Sequence, residues 1–207
     1  MLPDATVLHP PVDISRFSPA DSVDDYYLVV SELMFHKRIE VAIKAFNHLR
    51  LPLVVVGDGP ETRRLRRIGG PTIRFEGRVP DARVAELMRG AKALVVTATE
   101  EFGIAAVEAQ AAGRPVIALA EGGVRETVVE GETGVFYERS DPAALAETVA
   151  AFDPLEFDPA DCVEQAQRFD IASFREGLQR VVSGALAEPR IERPRRRPRR
   201  RPARLRA

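Results

Sequence analysis

The chain has 207 residues, 45% of them hydrophobic and 29% charged, with no tryptophan, one cysteine and a formal net charge of −1. That size suits one α/β domain with tails. No apolar run approaches the roughly 20 residues of a membrane-spanning helix, no basic n-region with an apolar core follows Met1, and Cys162 has no disulfide partner. Cys162 therefore reads as a packing residue in a reducing cytoplasm. The small net charge conceals a split: positions 190–207 hold ten arginines against one glutamate, +9, which leaves −10 for the other 189 residues.

Residues 1–25 hold four prolines and little periodicity, and Asp21, Asp24 and Asp25 stand near their end. This predicts an extended, linker-like leading segment with no core of its own. From Tyr26 a regular alternation starts. Tyr26–Val30 reads as a strand, and Ile39, Val41, Ala42, Ala45, Phe46 and Leu49 recur at helical spacing. Leu53–Val56 is the next strand, stopped by Gly57-Asp58-Gly59-Pro60 before a charged helix over Glu61–Ile68. Thr72–Phe75 predicts a third strand and Pro80–Met88 its helix, with Asp81 near the start. A Leu94–Val96 strand, an Ile104–Ala112 helix and a Pro115–Ala118 strand follow. Gly122-Gly123 turns into a helix around Val124–Val129. Gly134–Tyr137 is a last short strand, and Asp141-Pro142 caps a helix over Ala143–Ala151. Two helices, over Pro159–Arg168 and Ile171–Leu186, close the domain. Six strand–helix repeats with uncharged, β-branched strands predict an α/β, Rossmann-like parallel sheet of about six strands, helices on both faces, over residues 26–187. Residues 188–207 bury too little apolar surface to offset chain entropy and read as a disordered basic tail.

One stretch carries chemistry. Glu100-Glu101-Phe102-Gly103-Ile104 follows a buried strand and opens an alanine-rich helix that carries Glu108. In open α/β sheets ligands bind at the carboxyl ends of strands, and a helix start offers unpaired N–H groups to a diphosphate. Glu100 and Glu108 are too far apart to grip one phosphate, but each accepts hydrogen bonds from hydroxyls. A nucleotide-sugar has hydroxyls at both ends and phosphates between them. Read without context, Glu108 is equally a solvated carboxylate in a first helical turn.

Further motifs occur in order: Val12-Asp13 with Arg16-Phe17, Val30-Ser31-Glu32-Leu33 with His36-Lys37-Arg38-Ile39, Val56-Gly57-Asp58-Gly59-Pro60, Phe75-Glu76-Gly77-Arg78-Val79, and Gly122-Gly123 with Glu126. Together with Glu100-x7-Glu108 they resemble the carboxyl-terminal, donor-binding half of a family-4 retaining glycosyltransferase of the two-domain GT-B type, close to mannosyltransferase-like members, over residues 5–187. The resemblance implies that Glu100 binds donor-sugar hydroxyls and Glu108 the ribose diol. It implies that the amides of Phe102, Gly103 and Ile104 face sugar and phosphates, and that Lys37 and Arg38 neutralise the departing diphosphate. The base falls near Arg78 and Val79, and Gly122 and Gly123 near the phosphates. Gly57 and Gly59 read either as lining the donor site or as a tight strand-to-helix turn. No metal cluster is expected, since His9, His36, His48 and Cys162 lack ligand spacing. One position departs from the pattern: many relatives carry an arginine where this chain has Glu32, and a carboxylate beside a pyrophosphate opposes donor binding.

The expected donor is GDP-mannose first and a UDP-sugar second, with no further cofactor. The resemblance also implies that an amino-terminal acceptor domain is missing, so a separately encoded one is an expected partner. A non-catalytic or degenerate nucleotide-sugar-binding module is the alternative. A third reading, a nucleotide-sugar epimerase of related architecture, needs a histidine–carboxylate set for proton abstraction that the sequence does not show. The arginine tail is open to three readings: an anionic membrane surface at the inner face, a nucleic-acid contact, or an unselected extension. The absence of aromatic residues between the arginines argues against nucleic acid. Phe169, Ile171, Phe174 and Leu178 are expected to leave a partly exposed apolar patch.

Overall fold

Short β-branched runs between amphipathic helices leave each strand with two apolar faces, and only a sheet covered on both sides buries them. The computed structural model describes residues 6–20 and 22–187, and the arginine tail lies outside them. Six strands form, β1 (Tyr27–Val30), β2 (Leu53–Val56), β3 (Ile73–Gly77), β4 (Leu94–Val96), β5 (Val116–Leu119) and β6 (Gly134–Tyr137). All pair in parallel in the order β3-β2-β1-β4-β5-β6. The helices are α1 (Ile39–Leu49), α2 (Thr62–Ile68), α3 (Asp81–Gly90), α4 (Ile104–Ala111), α5 (Val124–Thr127), α6 (Pro142–Ala151), α7 (Pro159–Gln167) and α8 (Ile171–Ala187).

Side-chain alternation along the strands separates two cores. Tyr27, Val29, Leu53, Val55, Val95, Ile117 and Leu119 face α1, α2 and α6. Leu28, Val54, Val56, Leu94, Val96, Val116 and Ala118 face α3, α4 and α5. The α/β, two-faced sheet expected from the pattern is the observed architecture, and about half of the element ends shift, by one or two residues. Asp141 caps α6 as expected, accepting from the N–H groups of Ala143 and Ala144 at 3.0 Å each. Asp81 opens α3 without a side-chain cap bond and pairs instead with Arg16.

The leading segment joins a third core. Val12 packs with Val107, Ala111, Ala166 and Phe169, with Ile14, Phe17 and Phe102 around them. Its N–H donates to the Phe169 carbonyl at 2.8 Å, so the start of the described chain is bonded to the turn between α7 and α8. Of the four residues expected in an exposed patch, Ile171 and Leu178 are exposed and Phe174 is half-buried. Phe169 is buried, because the His9 and Phe102 rings pack against it at 5.4 and 5.5 Å. Among the described residues no helix is long and apolar enough to cross a membrane.

β1 and β4 are neighbours, but the chain leaves them toward opposite edges of the sheet. Their loops diverge and leave a crevice at the carboxyl ends of the strands, the ordinary ligand position in such sheets.

Candidate functional site at the sheet switch point

Two clefts open at this crevice and share the wall Val30-Ser31-Glu32 at the end of β1. One, of about 550 Å³, is lined by Gly57, Gly59, Arg78 and Val79. The other, of about 600 Å³, is lined by Lys37, Thr97, Glu100, Phe102, Gly103 and Ile104.

The first cleft is shaped by backbone. Gly57 has φ +127°, and a Cβ there would stand 1.8 Å from the Ser31 carbonyl oxygen. A Cβ on Gly59 would stand 2.6 Å from the Leu33 carbonyl oxygen. The β2–α2 turn therefore lies directly against the β1 loop, and both its glycines are required by that approach. The Leu33 N–H donates to the Asp58 carbonyl, and the Glu61 N–H donates to the Leu33 carbonyl, each at 3.0 Å. The Asp58 carboxylate accepts from the Thr62 hydroxyl and the Gly59 N–H, which holds its pKa below the ordinary value.

The second cleft is shaped by side chains. After β1 a 3-10 turn, Phe35–Lys37, leads to Arg38 in the left-handed region at φ 53°, and α1 starts at buried Ile39. The Thr97 hydroxyl, 2% exposed, donates to the Lys37 carbonyl at 2.7 Å, tying the β1 loop to the end of β4. The Lys37 ammonium then donates to both carboxylate oxygens of Glu100 at 2.8 Å. Glu100 is itself pinned from behind. The Gly123 N–H donates to the Glu100 carbonyl at 2.7 Å, and a Cβ on Gly122 or Gly123 would stand within 2.3 Å of the Glu100 or Glu101 carbonyl oxygen. Gly103, at φ +90°, stands before α4 and carries the chain into it.

The residues singled out in the sequence thus separate into groups. Lys37 and Glu100 meet across the switch point, and Phe102, Gly103 and Ile104 share their cleft. Gly57, Gly59, Arg78 and Val79 line the neighbouring cleft. Gly122 and Gly123 stand behind the Glu100 loop, on the wall of neither cleft, where they shape its backbone. Arg38 turns away from Lys37: its Nε reaches Glu40 Oε1 and its Nη2 donates to the Ser140 carbonyl, both at 3.2 Å. Glu108 lies one turn beyond Ile104, also outside both cleft walls, with its side chain 15% exposed. Burial pushes its carboxyl pKa up, Arg16 opposes that shift and Asp81 adds to it.

Two contributors escaped the sequence reading. Thr97 is one polar residue ending an apolar strand, and nothing local marks it as a clamp. Arg16 lies 92 positions from Glu108 and donates to its Oε1 at 3.2 Å. Charge in the second cleft is lopsided: Glu32 and Glu101 line it beside the Lys37–Glu100 pair.

This arrangement agrees with comparisons to known proteins. Residues 13–169 match the family described as "Glycosyl transferases group 1". The chain is 30% identical over 181 residues to the D-inositol 3-phosphate glycosyltransferase of Streptomyces avermitilis, a match covering 70% of this chain and 38% of that protein. It therefore spans well under half the length of that curated relative. Among solved structures, Anabaena HepE in complex with UDP and glucose superposes with a TM-score of 0.72 at 22% identity, over 86% of this chain and 56% of that one. Sucrose-phosphate synthase from Thermosynechococcus elongatus superposes with a TM-score of 0.74 at 25% identity, over 86% of this chain and 52% of that one. These GT-B neighbours share the sheet. With a switch-point crevice at its centre and a family match over more than half its length, the chain belongs to the group 1 glycosyl transferases.

Proposed function

We propose that the crevice binds a nucleotide-diphospho-sugar and serves retaining transfer of its hexosyl group. The observation that carries this reading is the Lys37–Glu100 pair on the wall of the second cleft, at the switch point. In this reading the base enters the cleft of Gly57, Arg78 and Val79, and the ribose diol lies against Glu108. The diphosphate faces the amides that open α4, where unpaired N–H groups favour an anion. The donor exchanges partners within the ion pair: Lys37 turns to the phosphates, and Glu100 is released to accept hydrogen bonds from sugar hydroxyls. As the sugar–oxygen bond breaks, the charge on the leaving diphosphate is met by the Lys37 ammonium, and no metal ion is required. Arg38 stabilises the loop through Ser140 and Glu40 and supports Lys37 from a distance.

HepE has been solved with UDP and with UDP-glucose, which favours a uridine donor as the first probe and GDP-mannose as the second. The test is calorimetric titration of the chain with UDP, UDP-glucose and GDP-mannose, repeated after EDTA treatment. Saturable binding that survives EDTA and falls in Lys37→Ala supports the reading. Equal heats for wild type and Lys37→Ala would sink it. A second reading, a nucleotide-sugar-binding module without turnover, is favoured by Glu32 on the wall shared by both clefts and by Arg38 being committed elsewhere. Product formation on mixing with an acceptor-binding partner domain separates the two.

A further inference from the structure

Arg16 belongs to the leading segment, and its backbone is held on both sides of its turn. Asp13 caps the 3-10 turn Ile14–Arg16, accepting from the Ser15 N–H at 3.2 Å and the Ser15 hydroxyl at 2.6 Å. Before the turn Val12 is bonded to Phe169, and after it Phe17 packs against two of the cores. The guanidinium stands 5.5 Å from the Phe17 ring centroid, which limits its swing. One end pairs with Asp81 at the start of α3, and Nη2 donates to Glu108 Oε1 at 3.2 Å. Glu108 Oε2 takes part in no hydrogen bond among the described residues, although the side chain is mostly buried.

A mostly buried carboxylate that bonds one oxygen to a guanidinium keeps the other able to accept from a ligand hydroxyl. A guanidinium on the first oxygen fixes the carboxylate plane and favours its charged form. Each carboxylate oxygen has room for a second hydrogen bond. We infer that Arg16 is the positioning residue for Glu108, holding it ionised and oriented so that it reads both hydroxyls of the donor's ribose.

This inference deepens the proposed function and rests on it. The charged groups facing Glu108 are Arg16 from the leading turn and Asp81 from α3. Discrimination between UDP and dUDP, which lacks one ribose hydroxyl, is the readout that a purely structural arginine would not move. In the full chain, wild type is expected to bind UDP more tightly than dUDP. Arg16→Ala should lose about tenfold in UDP affinity, the scale of one charge-assisted hydrogen bond, and bind the two ligands about equally. Arg16→Lys should restore most of the difference. Carbon-13 carboxyl titration of Glu108 supplies an arm that needs no nucleotide: its pKa should rise in Arg16→Ala, and UDP binding should weaken at a correspondingly higher pH as acid is added.

An Arg16→Ala protein with native circular dichroism and an unchanged UDP-to-dUDP ratio would overturn the inference. So would tighter UDP binding, which would make Arg16 a competitor for Glu108. An unchanged Glu108 titration would overturn it as well. If wild type binds none of the nucleotides, the proposed function fails and the ribose role with it; if UDP binds and the ratio ignores Arg16, only the positioning role fails.

Discussion

The two clefts at the switch point share one wall but are built in different ways. On the β2 side, Gly57 and Gly59 let two loops touch backbone to backbone, and the cleft is a by-product of that contact. On the β4 side, an ion pair, a buried hydroxyl and a glycine-anchored loop bring charged groups from distant segments together. The first side fails by collision and the second by loss of charge. Mutations on the two sides should therefore be read by different instruments, melting for one and binding for the other.

The largest effect should come from Gly57→Ala, which adds a Cβ at positive φ against the Ser31 carbonyl. A loss of about 3 kcal/mol is expected, seen as a fall of about 8 °C in Tm. Lys37→Ala should do the opposite, moving Tm by about 2 °C or less while UDP-glucose affinity falls about thirtyfold in calorimetry. If both variants simply melt early, the contrast between the clefts is wrong. Glu32→Arg tests the shared wall: exchanging a carboxylate for a guanidinium beside the diphosphate should raise affinity about tenfold, and more at low salt.

The smallest effect sharpens the comparison most. Burial raises the Glu108 carboxyl pKa, so the ionised form costs stability that is fully present below the unfolded pKa and is lost as pH rises through the folded one. Glu108→Gln should then hold or raise Tm at pH 7, by about 2 °C, while UDP affinity drops. A marked loss of Tm would mean that the Arg16 pairing outweighs burial.

The architecture was legible because strand and helix periods are local. Leu53–Val56 and Ile39–Leu49 declare themselves within a dozen residues, and every strand was anticipated within two residues at each end. The site was legible only in part. Glu100 is marked by its place between a buried strand and a helix start, Lys37 by the family resemblance, and the fold brings the two together. Arg38, adjacent to Lys37, points elsewhere because its backbone is left-handed, and residue type does not announce that. Gly57 and Gly59 left two readings open, since only the fold reveals the carbonyls their missing side chains would strike. Arg16 stands in the Val12-Asp13 and Arg16-Phe17 motif, but its partner is 92 positions away and the motif does not mark it as a site residue. Long-range pairing is the part of a site that periodicity cannot encode.

The seam between Val12 and Phe169 has a mechanical consequence. It is a single backbone link, continued by a parallel bridge from Val12 to Asp170, and it closes residues 12–170 into a ring that encloses the whole sheet. Tension applied to either flank of that ring is met first at this clasp, while the six strands stay unloaded. Opening the clasp removes one anchor of the Arg16 turn and leaves the strand pairing of the sheet untouched.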